Sequence, residues 1–488
     1  MSISIETFFL DPSAVGTLQA RIQQMVAQGI LAGRFRPGER LPSSRMMAQH
    51  LGVSRITVTL AYTELVADDY LTARGRSGYY VSDNAPKPPA FAAQQVQTGT
   101  VDWTRAIGQR FTPGLSNDKP ADWANYRYPF IYGQADRTLF DAANWRLCAL
   151  RALGMRDFGA LTADYYDGDD PELVDFISRQ TLPRRGILAN PDEILITMGA
   201  QNALWLSAQV LLNSRRRAAI EDPCYPALRN ILTQSRCQLS IVPVDQDGLP
   251  PDALPDDIDV LFTTPSHQCP TAATMPLDRR KALIARAEAQ DFIIVEDDYE
   301  FEMSFLKPPS PSLKSLDPHG RVIHVGSFSK SLFPGLRLGY LVGPAPFIRE
   351  ARALRASVLR HPPGHIQRTV SYYLSLGHYD ALIRRMSRAY HDRRQVLDAA
   401  LQDSGLVVAG QGLSGGSSVW VRMPDGTDTT PLAQSLRAKG VLVEPGARFF
   451  AGDAPPTEYM RLAYSSIPAS RITEGVRLIA AALAKGAA

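Results

Sequence analysis

Residues 327–340 have the sequence SFSKSLFPGLRLGY, in which Lys330 stands between two serines and Arg337 follows seven residues later. The preceding residues 321–326, RVIHVG, are mostly apolar and β-branched and predict a short buried strand. We therefore expect Lys330 in the loop after a strand, where functional side chains are often held on a rigid scaffold.

These residue types are suited to binding a phosphorylated aldehyde. A lysine amine can form a Schiff base with the aldehyde, and Ser327 and Arg337 can bind the phosphate. The alternative is an ordinary surface lysine, which is what most lysines are. The rest of the chain has to decide between the two.

Length and composition limit the possible classes of protein. A chain of 488 residues is too long for one ordinary core, so we expect two or three domains. It is 45% hydrophobic and 21% charged, which is typical of soluble globular proteins. A net charge of +3 requires neither a nucleic-acid nor a membrane partner. No signal peptide and no apolar run of membrane-spanning length are present, so we expect no membrane association.

The cysteines indicate a reducing compartment. The chain has four, and none forms a C-x-x-C pair: Cys148, Cys224, Cys237 and Cys269. This pattern argues against a zinc ribbon or a disulfide framework. We expect a cytoplasmic protein that binds no metal.

The first 82 residues predict a small domain with a helix-turn-helix. Residues 17–32 have one apolar face and predict a helix. Two shorter helices follow, with Ser43 and Ser54 as candidate N-caps and Gly52 between them. Two short helices joined by a glycine turn are the signature of a helix-turn-helix. Residues 70–81 predict a β-hairpin whose arginine-bearing tip can reach DNA.

The second of these short helices is predicted to have two different faces. Its outward face carries Arg55, Thr57 and Thr59, which suit contacts to a groove and to phosphates. Its inward face is apolar: Val58, Ala61, Tyr62 and Leu65. Residues 1–82 contain eight arginines, no lysine and six acidic residues, so the prediction depends on where the arginines lie. The alternative is a small protein-contact domain.

Three motifs in this segment resemble the GntR-type winged helix-turn-helix over residues of roughly 14–82. They are GRFRPGERLPSSR at 33–45, LGVSRITVTLAYTEL at 51–65 and DYLTARGRSGYYV at 69–81. Asp69 departs from the glycine that the family often has before the aromatic residue. The resemblance implies that the partner is double-stranded DNA. The implied DNA-contacting residues are Ser44, Arg45, Ser54, Arg55, Thr57, Arg74, Arg76 and Gly78.

Residues 83–100 are rich in Pro, Gln and Ala and predict a partly extended linker. Such a linker is long enough to place the first domain on the body of a partner subunit. From residue 101 to 488, short apolar runs alternate with helical segments, which predicts an α/β domain with a mainly parallel sheet. Ligand sites in such domains lie at the carboxyl ends of the strands.

Several candidate ligand-binding residues follow these predicted strands. The turn Gly199–Gln201 opens a helix whose N–H groups can hold a phosphate, although it could be an ordinary turn. Tyr225 is flanked by prolines and can stack on a planar ring, or it could simply pack in its loop. His267 could contact a ligand, but a lone histidine is more often structural.

Two further candidates carry charge. A carboxylate in Glu296-Asp297-Asp298 can pair with a protonated ring nitrogen, and Tyr299 can donate to a phenolic oxygen. No histidine cluster accompanies these acids, so a metal site is not expected. Arg461 lies among apolar residues on a predicted strand and needs an anion. That anion is either the acid group of a ligand or the partner in a structural salt bridge.

In combination, the motifs SFSKSLFPGLRLGY, EDDYE, EDPCYP and RLAYS resemble fold type I aminotransferases in the version fused to a GntR head, the MocR/GabR-type regulators. The resemblance covers nearly the whole chain and implies a small C-terminal subdomain from about residue 370. It implies pyridoxal 5′-phosphate as the cofactor, in Schiff-base linkage to Lys330. The other implied cofactor contacts are Asp297 or its neighbour Glu296 at the pyridine nitrogen, Tyr299 at O3′, Tyr225 on the ring, His267 nearby, and Ser327, Arg337, Gly199, Ala200 and Gln201 at the phosphate.

The resemblance further implies a regulator that senses a small amine by transaldimination at Lys330, with Arg461 binding the acid group of the effector. Such regulators are homodimers, head-to-tail and domain-swapped, and bind operators with repeated half-sites. The family implies a small amine such as taurine or a GABA-like amine as the effector. Residues 1–12 and 56–79 look most like the taurine-pathway regulators. The genes controlled would serve its uptake or metabolism.

The alternative implied function is a working aminotransferase with a DNA-binding head. Aminotransferases proper usually have Asn-Pro-Thr-Gly in the loop where this chain has Cys269-Pro-Thr-Ala272. The missing asparagine would contact O3′ of the cofactor. Its absence favours a protein that senses an amine over one that turns it over.

Overall fold

The chain divides into two compact units, Met1–Gln109 and Arg110–Ala488, called here the head and the body. The computed structural model describes residues 2–11, 15–87, 101–111, 119–164, 168–410, 412 and 414–486, without the side chains of Arg76, Ala160 and residues 485–486. Most of the predicted linker, residues 88–100, lies outside the described residues. The domain boundaries drawn from the sequence stay predictions.

Over residues 18–81 the head has the order of elements that the sequence predicts, and a short helix that was not predicted follows later in the unit. Its elements are α1 (Leu18–Leu31), α2 (Ser44–Leu51), α3 (Arg55–Ala67), β1 (Leu71–Ala73), β2 (Tyr79–Val81) and α4 (Trp103–Ala106). Both predicted N-caps are confirmed: Ser43 Oγ accepts the N–H of Met46 at 3.2 Å, and Ser54 Oγ accepts that of Thr57 at 3.1 Å. Gly52 ends α2 in a left-handed conformation with φ of 67°, which glycine adopts without strain.

The head has a hydrophobic core of its own. The predicted inward face of α3 is buried: Val58, Ala61, Tyr62 and Leu65. Ile22 and Val26 of α1 pack in the same cluster. The buried Tyr62 hydroxyl donates to the carbonyl of Pro42 at 3.1 Å, so its polar atom is satisfied. α1, α3 and the hairpin therefore share one apolar centre.

The body contains twelve described helices and thirteen described strands. The helices are α5 (Ala142–Ala152), α6 (Phe158–Thr162), α7 (Pro171–Phe176), α8 (Ala200–Leu211), α9 (Pro226–Gln234), α10 (Leu277–Gln290), α11 (Leu313–Leu316), α12 (Ala345–Leu359), α13 (Gly364–Ser375), α14 (His378–Asp403), α15 (Thr429–Arg437) and α16 (Ala469–Gly486). The strands are β3 (Tyr128–Pro129), β4 (Ile194–Thr197), β5 (Arg217–Asp222), β6 (Gln238–Pro243), β7 (Val260–Thr263), β8 (Ile293–Asp297), β9 (Val322–Ser327), β10 (Gly339–Val342), β11 (Val407–Val408), β12 (Ser418–Arg422), β13 (Val441–Leu442), β14 (Glu444–Pro445) and β15 (Tyr459–Ala463).

Seven strands form the central sheet in the order β4-β10-β9-β8-β7-β5-β6. β10 is antiparallel to both of its neighbours, and the other strands run parallel to one another. The prediction of a mainly parallel sheet is confirmed. The carboxyl ends of the parallel strands and the amino end of β10 consequently meet at one edge.

Helices cover both faces of this sheet. Neighbouring residues of β7 point to opposite sides: Phe262 packs in the cluster formed with α8, α9 and α12, and Leu261 in the cluster formed with α10 and α11. The strands are therefore apolar at consecutive positions, as expected for a sheet that is buried on both faces.

A second sheet of four strands, β11-β12-β15-β14, lies nearer the C-terminus. Its strands are antiparallel, and Glu444 on β14 is paired in register with Arg461 on β15. β13 pairs separately with β3, which ties residues 128–129 to this region. None of the helices in the described part of the chain is long and apolar enough to cross a membrane.

The strand that leads to Lys330 depends on a close ring contact. A Cβ atom at Gly326 of β9 would lie 2.1 Å from Cζ of Tyr340, its partner on β10. We expect Gly326→Ala to force the ring out of place and to lower stability by about 1–3 kcal/mol, measured as a lower thermal midpoint. The matched control is Gly159→Ala, because a Cβ there meets no atom within 4 Å. Equal midpoints for the two variants would contradict this packing.

Candidate functional site

The sheet edge where the strands end borders a cavity of about 330 Å³ in the body. The following predicted site residues line it: Ala200, Gln201, Tyr225, Asp297, Tyr299, Ser327, Lys330, Arg337 and Arg461. The structure thus brings together residues that are up to 261 positions apart in the sequence. Other lining residues that the sequence did not point to include Lys119, Tyr132, Ser329, Glu444, Arg448 and Phe449.

Lys330 projects its amine against an aromatic ring. Its Nζ lies 3.9 Å from the ring centre of Tyr132. A Cβ atom at Gly133 would lie 2.5 Å from the same Nζ, so a larger residue there would displace the end of the lysine side chain. Burial and the nearby Lys119 charge lower the pKa of Lys330 to about 8, against the opposing effect of Glu300. A lowered pKa gives the amine more of the neutral, nucleophilic form near neutral pH.

Asp297 is the carboxylate at the cavity wall. It ends β8, and its side chain is buried. Its Oδ1 has no hydrogen-bond partner within the described part of the chain. Burial, followed by the neighbouring Asp298 charge, raises the pKa of Asp297 to about 7. An unpaired, buried acceptor of this kind fits a protonated ring nitrogen.

The acids on either side of Asp297 are engaged elsewhere, because successive side chains of a strand point to opposite faces. Glu296 accepts the backbone N–H of Leu313 at 2.7 Å and lies 3.1 Å from Nδ1 of His324. Asp298 binds Arg185 at 2.7 Å. Of these three acids, only Asp297 lines the cavity, and this favours Asp297 over Glu296 for the ring nitrogen. Within the described residues, no cluster of His, Cys, Asp and Glu could hold a metal ion.

One end of the cavity has the features of a phosphate site. Gly199 has φ of 78° and immediately precedes α8. A Cβ on Gly199 would lie 3.5 Å from Ser329 Oγ and 3.7 Å from Cζ of Arg337, so these groups surround the start of the helix. Ser329 Oγ is buried without a partner among the described residues, and its N–H donates to Ser327 Oγ at 3.2 Å. A helix N-terminus with hydroxyl and guanidinium groups favours a phosphate.

The aromatic candidates differ in position. Tyr225 begins α9 and lines the cavity. Tyr299 also lines it, and its hydroxyl donates to the carbonyl of His267 at 2.8 Å. The His267 ring is not on the cavity wall but behind it, close to Gly416. Burial lowers the pKa of His267 to about 4, so the ring is neutral there.

Arg461 is a buried residue of the cavity wall and lies over two aromatic rings. Its Cζ lies 4.2 Å from the ring centre of Tyr132 and 4.6 Å from that of Phe449. Its Nε donates to Glu444 Oε2 at 3.0 Å. Burial opposes the charge of Arg461, but Glu444 outweighs it and raises its pKa. The structural salt bridge considered from the sequence is therefore present, and Arg461 also faces the cavity.

On the head, most of the predicted DNA-contacting residues lie at the start of a helix or on the hairpin. Arg45 and Arg55 are exposed in the first turns of α2 and α3, with Ser44 and Thr57 partly exposed. Ser54 Oγ serves as the cap of α3. Arg74 lies over the Tyr80 ring at 4.7 Å, and Gly78 has φ of 99°. The side chain of Arg76 lies outside the described residues.

Two other residues of the head are informative. Asp69, which stands where the related sequences often have glycine, adopts the left-handed conformation with φ of 59°, so the turn into the hairpin keeps its shape. Ile56, which the sequence did not single out, is 72% exposed on α3. An exposed apolar side chain beside Arg55 suits contact with a thymine methyl group.

Both halves of the chain match models of known families. Residues 18–81 match the bacterial regulatory proteins of the gntR family. Residues 162–479 match the aminotransferases of class I and II. The chain belongs to the MocR/GabR-type transcription regulators, which join a GntR-family DNA-binding domain to an aminotransferase-like domain.

Individual relatives agree with this class. The HTH-type transcriptional regulator TauR of Rhodobacter capsulatus is 58% identical over 483 residues, covering 99% of this chain and 100% of that protein. The probable rhizopine catabolism regulatory protein MocR of Rhizobium meliloti is 29% identical, covering 97% of this chain and 95% of its own. The structure of LysN, an α-aminoadipate aminotransferase of Thermus thermophilus complexed with N-(5′-phosphopyridoxyl)-L-leucine, has a TM-score of 0.69 and 27% identity, covering 79% of this chain and 99% of its own.

Pyridoxal 5′-phosphate is the cofactor of this class of body, and the cavity fits it. Asp297 Oδ1 offers an acceptor to the ring nitrogen, and the Gly199 turn with Ser329 and Arg337 offers a phosphate site. Lys330 places its amine in the same cavity. When bound, the cofactor supplies an aldehyde carbon and an electron-withdrawing ring.

The raised pKa of Asp297 predicts a pH-dependent stability of the apoprotein. The folded chain holds this proton up to about pH 7, whereas an unperturbed carboxyl loses it near 3.8. The Asp297 carboxyl therefore contributes to the free energy of unfolding at low pH. This contribution is lost as the pH rises through the pKa that the group has in the folded protein. Asp297→Asn should therefore gain stability relative to wild type across this window, by about 4 kcal/mol at most.

Urea denaturation of the two apoproteins at a series of pH values measures this gain. The matched control is Asp403→Asn, which removes an exposed carboxyl at the end of α14. A stability difference between wild type and Asp297→Asn that does not change with pH would show that Asp297 is not the buried acid described here.

Proposed function

We propose that this protein controls transcription in response to a small amine, sensed by transaldimination at Lys330. The observation that carries the proposal is the position of two charged groups over one ring. Lys330 Nζ and Arg461 Cζ lie 3.9 Å and 4.2 Å from the centre of the Tyr132 ring. An amine that reaches the cofactor can thus place an acid group at Arg461 at the same time.

The proposed residue roles follow the geometry of the cavity. Asp297 would bind the ring nitrogen, Tyr225 would stack on the ring and Tyr299 would contact O3′. The phosphate would be held at the turn of Gly199 to Gln201 with Ser327, Ser329 and Arg337. His267 stays a prediction, because its ring lies behind the cavity wall.

Sensing requires that the effector bind two states of the body unequally. If an effector amine displaced Lys330 from the cofactor, the lysine amine would be free. It would then have to find a new partner inside the body, and Glu300 is the nearby carboxylate whose charge already affects its pKa. Two conformations of the body could therefore differ in the partner that the Lys330 amine contacts.

The proposed DNA complex contains two heads. As in the family that the chain belongs to, we infer a cytoplasmic head-to-tail homodimer that binds an operator with repeated half-sites. The effector is proposed to be taurine or a GABA-like amine, and the controlled genes those for its uptake or metabolism. The 58% identity to a protein named TauR supports the first of these effectors.

A working aminotransferase is the second candidate, because the body resembles solved aminotransferases such as LysN. The loop that has asparagine in most of these enzymes has Cys269 here, and its Sγ lies on the cavity wall. This difference at the position expected to contact O3′ favours sensing over turnover.

Titration of the purified protein with amines tests the proposed function. We expect wild type to bind the cofactor and show its visible absorbance band, and taurine or GABA to change that band. Lys330→Ala should lose the band of the covalently linked cofactor while the fold is retained. The control is Lys281→Ala, which removes an exposed lysine of α10. A colourless wild type would rule out the proposal, and sustained turnover with a keto acid would establish the enzyme instead.

The head can be tested separately on a DNA site selected from a random pool by the wild-type protein. Arg55→Ala removes a cation from the exposed start of α3 and should weaken DNA binding by about 1–3 kcal/mol, with a smaller salt dependence. The cofactor spectrum should stay the same. Arg34→Ala, which removes an exposed arginine just after α1, is the control. Unchanged DNA affinity of Arg55→Ala at all salt concentrations would show that α3 does not contact DNA through Arg55.

A further inference from the structure

Three cationic side chains surround one buried tyrosine ring. Besides Lys330 and Arg461, Lys119 places its Nζ 5.9 Å from the ring centre of Tyr132. Lys330 and Arg461 cannot be farther apart than the sum of their distances to this centre, 3.9 Å and 4.2 Å. The cavity therefore concentrates positive charge within the length of a short molecule.

One carboxylate holds two of these cations. Glu444 Oε1 lies 3.4 Å from Lys119 Nζ, and Oε2 accepts Nε of Arg461 at 3.0 Å. Oε2 also accepts the backbone N–H of Tyr132 at 3.1 Å, and Lys119 Nζ donates to the carbonyl of the same residue. The Glu444 side chain is only 3% exposed. Burial would raise its pKa, but Arg461 and Lys119 lower it to about 2, so it is ionised at neutral pH.

The charges in this cluster do not cancel. Glu444 is the carboxylate that contacts both Lys119 and Arg461, so one negative charge faces two cationic side chains. Burial lowers the pKa of Lys119, and Glu444 opposes this effect. Arg448 and Lys330 line the same cavity and add to its cationic side chains. An uncompensated buried charge is costly. The cluster is therefore suited to accept one more anion.

Glu444 occupies only one side of the Arg461 guanidinium among the described residues. Glu444 binds at Nε, and Nη1 contacts Sγ of Cys269 at a long distance of 3.9 Å. The two terminal nitrogens of a guanidinium can bind a carboxylate or sulfonate through two parallel hydrogen bonds. Lys119 contacts the same Glu444 carboxylate and lines the same cavity.

We propose that Lys119 and Arg461 together bind the acid group of the effector, and that Glu444 positions both cations and limits their affinity for simple anions. The proposal rests on the proposed function and defines its ligand class. The ligand is a short amine with one anionic group a few bonds from its nitrogen, because the amine and the acid must be accommodated beside a single ring.

Paired amines test this selectivity on the cofactor-loaded full-length protein. Taurine and 4-aminobutyrate are each compared with the amine that remains without the acid group, ethylamine and propylamine, and the cofactor band reports binding. Lys119→Met should weaken binding of the acidic amines at least about tenfold, which corresponds to the loss of one charge-assisted hydrogen bond. It should weaken binding of the neutral amines much less, because they have no acid group for Lys119 to bind, and Lys119→Arg should retain most of the affinity. Lys439→Met, which removes an exposed lysine after α15, should change nothing.

Inorganic sulfate supplies a second measurement that needs no reaction with an amine. Sulfate should raise the thermal midpoint of the cofactor-loaded wild type more than that of Lys119→Met. Sulfate should stabilise the Glu444→Gln variant, which lacks the negative charge of Glu444, at lower concentrations than it stabilises wild type. These shifts report the anion site whether or not any amine reacts at Lys330.

The two experiments separate the possible failures. If no amine alters the wild-type spectrum, the proposed sensing is wrong, and the sulfate measurement alone decides on the anion site. If Lys119→Met weakens acidic and neutral amines equally, or neither, the role of Lys119 in binding the acid group is overturned. An equal sulfate shift in wild type and Lys119→Met overturns it as well.

Discussion

The body has to keep positive charge buried beside its own aromatic rings. An isolated buried cation costs several kcal/mol, and Lys330 and Arg461 both lie within reach of the Tyr132 ring face. The structure offsets this cost with buried carboxylates. Glu444 binds Arg461, and Glu300, which lies 3.4 Å from the Tyr132 hydroxyl, affects the charge of Lys330. Tyr132 therefore contacts both Lys330 and Arg461, the residues proposed here to bind the cofactor and the acid group of the effector.

The position of that cavity couples three parts of the body. The central sheet supplies Asp297 and Lys330 at its edge, and the reversed direction of β10 brings Arg337 to the same edge. The small sheet supplies Arg461. The segment before the first long strand supplies Tyr132, whose N–H reaches a carboxylate 312 residues later. The cavity is therefore lined by residues from all three parts of the body.

Sequence reasoning was reliable where a residue's role depends on its neighbours in the chain. The caps at Ser43 and Ser54 and the order of strands and helices follow from local patterns, and the structure has them. It left Glu296 and Asp297 undecided, because both follow the same strand, and the alternation of side chains distinguishes them only once the sheet faces are known. Lys119 and Glu444 stand in no recognisable sequence motif. Their roles follow from the contact between them, which only the folded structure reveals. His267 had a suitable position in the chain, but it does not line the cavity.

The separate hydrophobic core of the head has an evolutionary consequence. Because Tyr62, Val58 and their neighbours are buried among residues of the head itself, the packing of this unit does not constrain which residues line the cavity of the body. Recombination between genes could therefore join the same head to bodies with other ligands, or the same body to heads for other operators. A lineage of such regulators can in this way acquire new pairs of signal and target without rebuilding either core.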